Sequence, residues 1–171
     1  MRERLEKRLT YLYTGEFASV IIFSFVSFKI NQEYPNLQLY SLYSYWGSFI
    51  LLQFLLLQGA FYWYVKRRRL KKEGTSVTPI TQVRLLYHLR KFNLIVILLV
   101  PMFFVIDAIR ITEIPTMGFL LAMFIYLFSI AEYINYFYLQ LSYGYSSDFK
   151  NLIKTRKLKT AILRKDFNRL G

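Results

Sequence analysis

The sequence contains no cysteine, a single histidine (His88), and only 10 Asp+Glu against 23 Lys+Arg. Without cysteine there is no disulfide framework, no thiolate metal site and no cysteine nucleophile. One histidine leaves no two-histidine metal site within the chain. No serine sits in a glycine-flanked elbow that would pair with His88 in a triad. The seven glycines are scattered, so no phosphate-cradling loop forms. No cofactor and no metal is implied, and enzyme chemistry finds little support beyond a carboxylate-only reaction on a lipid. Low-complexity segments and internal repeats are absent too.

What is present is apolar. Of 171 residues, 55% are hydrophobic and 19% aromatic. That length suits one domain. The apolar and basic residues are segregated into long apolar blocks and short basic ones, the pattern of a membrane protein rather than a soluble domain. A net charge of +13 raises nucleic acid as a partner. Basic clustering alone is a footprint and not a reader, so that partner is disfavoured. Beside apolar spans the same charge sets topology and meets anionic lipid. The frequency of Phe, Tyr, Ile, Lys and Asn points to an AT-rich bacterial genome, and so to a bacterial cytoplasmic membrane.

A hydrocarbon core about 30 Å thick needs roughly 20 apolar residues in a helix. Four stretches qualify: about 9–30, 37–65, 92–109 and 116–143. The first follows the basic run Arg2–Arg8 but lacks a small-residue cleavage site, so it reads as an uncleaved helix. Lys+Arg number four in residues 1–10, nine in the loop 66–91 and eight in the tail 146–171, leaving only Lys29 and Arg110 on the other side. The positive-inside rule then puts both termini in the cytoplasm. Aromatic belts agree: Tyr40, Tyr43, Tyr45 and Trp46 at the outer end of the second span, Tyr62, Trp63 and Tyr64 at its inner end. The fold class expected is an all-α integral membrane protein, a four-helix up-and-down bundle over 1–145. A basic cytoplasmic loop and a C-terminal amphipathic helix over 146–171 complete it.

Local signals sharpen the picture. Pro101 removes a backbone donor and predicts a kink near Ile97. Gly74 reads as a helix stop. Thr78 reads as an N-cap with Pro79 at the first helical position, opening a helix that carries Arg84, His88 and Lys91 into the third span. In the tail, apolar residues recur at Phe149, Leu152, Ile153, Leu158, Ile162, Leu163, Phe167 and Leu170, facing a Lys/Arg-rich side. Such a helix rests on anionic headgroups or docks on protein. Lys66, Arg67, Arg68, Arg69, Lys154, Arg156 and Lys157 are the candidate lipid or partner surface.

Polar groups inside spans are expensive and so are site candidates. Counting along each span puts Glu16, Gln58 and Glu132 at similar depth in the cytoplasmic half. Ser129, Glu132, Asn135, Tyr136 and Tyr143 share one face of the fourth span. The expectation is a polar cluster of Glu16, Gln58, Glu132, Asn135 and Tyr136 open to the cytoplasm, with Arg84, His88, Arg90 or Lys91 as counter-charges. Structural ion pairing and interhelical hydrogen bonding compete with that reading. At the outer edge Asp107, Arg110 and Glu113, at three-residue spacing, read as surface ion pairs. The leading functional expectation is a non-enzymatic accessory, regulatory or immunity-type subunit that binds a membrane-protein partner, or itself as a homo-oligomer, together with anionic lipid. The alternatives are a small oligomeric transporter or channel with Glu132 as coupling carboxylate, and a lipid-active enzyme using Glu16 and Glu132.

Overall fold

The computed structural model of the chain describes residues 2–111, 115–139 and 160–170. Among these residues it is all-helical, apart from one isolated antiparallel bridge between Leu139 and Thr160. The helices are α1 (Arg2–Glu33), α2 (Tyr43–Glu73), α3 (Ile80–Arg110), α4 (Thr116–Phe137) and a short α5 (Ile162–Phe167). The first four are long and apolar enough to cross a membrane. Glu113, Tyr143, Lys154, Arg156 and Lys157, and the tail positions Phe149, Leu152, Ile153 and Leu158, lie outside the described residues.

The second helix starts at Tyr43, six residues later than the apolar block suggests. Residues Pro35–Leu37 and Leu39–Ser41 form two 3-10 turns instead, joined at Gln38 in the left-handed region (φ 47°). Their backbone lies so close to α4 that a Cβ on Gly118 would fall 2.0 Å from the Leu37 carbonyl oxygen. Only glycine fits there. At its other end α2 stops at Gly74, which takes φ 70° as a left-handed cap.

α3 also departs from expectation at its start. Pro79, not Thr78, occupies the cap position, and the first helical bond runs from the Val83 amide to the Pro79 carbonyl at 3.1 Å. The Thr78 hydroxyl is unavailable as a cap because it donates to Asp166 in the tail at 2.8 Å. Farther along, α3 continues through Pro101. The Ile97 carbonyl, deprived of its helical donor by that proline, accepts the Tyr126 hydroxyl of α4 at 2.9 Å. A hydroxyl from the neighbouring helix thus satisfies the group that the proline orphans.

α2 packs against α1, α3 and α4, whereas α1 and α4 scarcely touch each other. Burial follows that order. Leu51, Leu55, Tyr62, Val100, Tyr133 and Phe137 form the main core around α2, and Leu39, Leu42, Tyr45 and Ala122 form a second one at the far end. Apolar side chains also point outward in quantity. Leu98 is 68% exposed and Ile109 82%, and Ile21, Ile22, Phe25 and Phe28 line an open face of α1.

Asp107 is the clearest departure at this end. It is completely buried and is no surface ion-pair residue. Its carboxylate accepts the backbone N–H groups of Tyr43 (3.1 Å) and Ser44 (2.7 Å), so it caps α2 from another helix. The first amides of α2 have no intrahelical acceptor and carry the positive end of the helix dipole, which a carboxylate satisfies on both counts. Arg110 stands 3.8 Å from Asp107 and over the Tyr43 ring, closing the arrangement.

Candidate functional site: a cleft between the first and fourth helices

Because α1 and α4 both lean on α2 and not on each other, a cavity of about 1100 Å³ lies between them with α2 as its floor. Toward the far end it is bounded by Phe23 and Phe128, whose rings meet edge to face at 6.3 Å. Arg4, Lys7 and Arg8 line its other end, together with Ala161, Ile162 and Leu163 of the tail. Arg8 precedes Glu16 by eight residues on one helix, a rise of about 12 Å.

Glu16, Gln58, Glu132, Asn135 and Tyr136 all line this cleft. They do not play equal parts in it. Gln58 turns its amide head away and exchanges two hydrogen bonds with Asn93 of α3 (3.1 and 2.9 Å). Both residues are buried, and Asn93 is fully so. This closed amide pair joins α2 to α3 and leaves Gln58 with no polar group for the cleft. The Asn135 amide donates to the Glu132 carboxylate at 3.2 Å. Glu16 and Glu132 lie near enough to interact electrostatically.

Tyr136 sits between them because of Gly59. A Cβ at position 59 would come within 2.6 Å of the Tyr136 hydroxyl oxygen and 2.7 Å of its Cζ. The bare backbone of α2 is therefore the seat of the tyrosine ring. The hydroxyl faces Glu16 and senses both carboxyls, but it lies outside hydrogen-bond geometry and is buried without a partner among the described residues.

The expected counter-charges are not in the cleft. Arg84 and His88 are exposed, Arg90 donates to the Tyr138 hydroxyl at 3.0 Å and stacks over its ring, and Lys91 lies over Tyr87. The reason is the order of helices. α3 occupies a different side of α2, so residues at the right height on α3 face the wrong way. Among the described residues no cation lies within ion-pair distance of Glu16 or Glu132.

A second polar site, not anticipated from sequence, joins the tail to the helices. Asp166 accepts the Tyr62 hydroxyl (2.7 Å) and the Thr78 hydroxyl (2.8 Å) and pairs with Lys66 (3.2 Å). Arg169 donates to the Thr78 carbonyl at 2.9 Å. Lys66, expected on the basic surface, is only 8% exposed. Burial pushes its ammonium below the ordinary lysine range, and the Asp166 carboxylate pulls it back up. Arg68 is exposed, and Arg67 partly so; Arg69 pairs with Glu73 and caps the Val77 carbonyl at 2.7 Å. Leu163 and Phe167 bury themselves in the main core. The described part of the amphipathic tail thus docks its apolar face on its own helices. The chain matches no known family model, no curated protein and no solved structure.

Proposed function

We propose that this chain is an integral membrane protein that crosses a bacterial cytoplasmic membrane four times as an up-and-down bundle, with both termini in the cytoplasm. It acts there as a non-enzymatic binding subunit of the accessory, regulatory or immunity type. The observation that carries the membrane part is the outward apolar surface of α1 and α3, which water would not tolerate over such an area and which lipid solvates. The charge asymmetry between the two sides supplies the orientation. The binding part rests on the cleft: two helices that nearly fail to meet leave room for a group brought by something else. The basic segment at Arg67, Arg68 and Arg69 suits anionic headgroups. A transporter is the second reading, favoured by the two carboxyls that no cation among the described residues neutralises; an intramembrane acid of this kind is the usual mark of an ion or proton path.

The absence of cysteine makes orientation simple to test. Asn36→Cys should react with a membrane-impermeant maleimide in intact cells, and Lys71→Cys only after lysis. The reverse pattern refutes the topology. Native mass spectrometry of protein extracted gently from its own membranes tests the role. A stoichiometric second protein supports the subunit reading. A homo-oligomer carrying a small molecule and no second protein moves the assignment to transport.

A further inference from the structure

We propose that the cleft between α1 and α4 is a binding site for an anionic phospholipid, with its phosphate at Arg4 and Lys7 and one acyl chain running inward to Phe23 and Phe128. This deepens the proposed function and rests on its four-span reading, under which the basic end of the cleft meets the cytoplasmic headgroups.

Length selects a lipid. Lys7 and Phe23 both line the cleft and stand sixteen residues apart on one helix, a rise of about 24 Å. One leaflet, half of the ~40–45 Å that a bilayer measures with its headgroups, is about 20–22 Å thick. The cleft is thus about one lipid long, and its ends differ as the ends of a lipid do. Arg4, Lys7 and Arg8 line one end. At the other, the rings of Phe23 and Phe128 meet edge to face at 6.3 Å. Leu12, Ala18 and Leu56 add apolar wall. A soluble anion at the basic end would leave that wall wet, whereas an acyl chain covers it. The volume, about 1100 Å³, exceeds the ~300–1,000 Å³ of ordinary small-molecule pockets.

Charge selects the headgroup. Arg4 and Lys7 are exposed at the mouth. Glu3 and Glu6, the acids of the same turns, do not line the cleft, and Glu6 is committed to Lys71. Glu16 lies about 12 Å beyond Arg8, farther than the ~8 Å over which salt screens charge at a wet rim. The acids therefore do not cancel the attraction of the mouth for a phosphate. Entry is lateral. Because α1 and α4 scarcely touch, a lipid of the surrounding leaflet slips one chain between them and leaves the other in the bilayer.

The test uses the full chain with Trp46→Phe, which leaves Trp63, a wall of the cleft, as the one tryptophan. The protein is placed in phosphatidylcholine vesicles containing phosphatidylglycerol brominated near the top of one acyl chain, since bromine quenches tryptophan on contact. Each Lys or Arg that a headgroup meets is worth about fivefold in affinity. With two of them, phosphatidylglycerol should half-quench Trp63 at a mole fraction at least about tenfold below that of equally brominated phosphatidylcholine. Arg4→Gln/Lys7→Gln should erase the preference, and Glu16→Gln/Glu132→Gln should keep it. Gly15 also lines the cleft, and a Cβ there meets nothing within 4 Å. Gly15→Leu therefore fills the cleft without touching the rim charges, and should weaken the quenching about tenfold, the scale of an overpacked site. Equal quenching by the two lipids overturns the proposal. So does a preference that survives Arg4→Gln/Lys7→Gln, or one that Gly15→Leu leaves intact, which would be headgroup adsorption with no chain in the cleft. Release of the quenching by inorganic phosphate would make this a site for a free anion and overturns it as well. Labelling of Asn36→Cys reads the topology on its own, so a missing lipid preference with correct labelling counts against the site alone.

Discussion

Removing the Asp166 carboxylate should release the tail from the helices without unfolding them. In Asp166→Ala, Tyr62 and Thr78 each lose an acceptor, and Lys66 keeps a buried ammonium with no anion beside it. Breaking one side of a buried ion pair costs about 3–5 kcal/mol when the remaining charge stays buried. Lys66 lies toward the C-terminal end of α2 and has a long stem with which to reach water, so the low end, about 3 kcal/mol, applies. At roughly 1.4 kcal/mol per tenfold, the opening equilibrium of the tail moves by about a hundredfold. The chain has no cysteine of its own, so Ala161→Cys makes a unique reporter at a buried position, 2% exposed, on the docked tail. Maleimide labelling at that cysteine, under conditions where closing outpaces reaction, tracks the open fraction. It should accelerate about a hundredfold in Asp166→Ala. Adding Lys66→Met should recover much of the loss, because the uncompensated charge is then gone. A rate within threefold of the parent, or no recovery on adding Lys66→Met, refutes this account of the tail.

Two further substitutions test the cleft and the α2–α3 joint. Gly59→Ala places a methyl group 2.6 Å from the Tyr136 hydroxyl. The ring is then driven from its seat, and thermal unfolding in detergent should show a loss of about 1–3 kcal/mol, the usual cost of overpacking; an unchanged midpoint would mean that Tyr136 is not held as described. Gln58→Leu strands the Asn93 amide in a fully buried position and should cost about 1–3 kcal/mol. Gln58→Leu/Asn93→Leu should be less damaging than the single change, since an apolar pair leaves nothing unsatisfied, and a double variant at least as unstable as the single one would contradict that reasoning.

The four long helices were legible because hydropathy needs only length and composition, and the stop at Gly74 because its left-handed geometry is local. Height along a span was also readable: counting residues sets Glu16, Gln58 and Glu132 level with one another, and helical spacing sets Glu132, Asn135 and Tyr136 on one face. Direction around each helix was not. Arg84, His88, Arg90 and Lys91 have suitable height but belong to a helix that sits elsewhere around α2, and Gln58 points to Asn93 instead of to the acids. That angle is decided by which helices are neighbours, a tertiary property that no single span encodes. The same limit hid the roles of Asp107 and Asp166. Asp107 caps a helix that begins 64 residues earlier, and Asp166 meets Thr78 from 88 residues away. Thr78 itself carries a strong local capping signal, overridden because the tail uses its hydroxyl.

The way α1 is attached explains why the cleft lies where it does. Only Leu9 and Ser27 of α1 are buried, so an apolar core does little to hold this helix. Polar clasps at its ends and one along its length hold it instead. At its N-terminal end Arg2 donates to the Leu70 carbonyl (2.9 Å) and Glu6 pairs with Lys71 (3.2 Å). Toward the other end Ser27 accepts the Tyr45 hydroxyl (2.6 Å), and Gln53 reaches the Ser24 hydroxyl (3.3 Å). Every one of these partners belongs to α2, and none to α4. Between the clasps α1 meets α4 through the edge-to-face pair of Phe23 and Phe128 (6.3 Å), which lies beyond Glu16 toward the far end. A helix packed on one neighbour is cheaper to shift than one buried on several sides. The separation of α1 from α4, and with it the width of the space around Glu16, Glu132 and Tyr136, is therefore the dimension of this fold that yields most readily to whatever enters it.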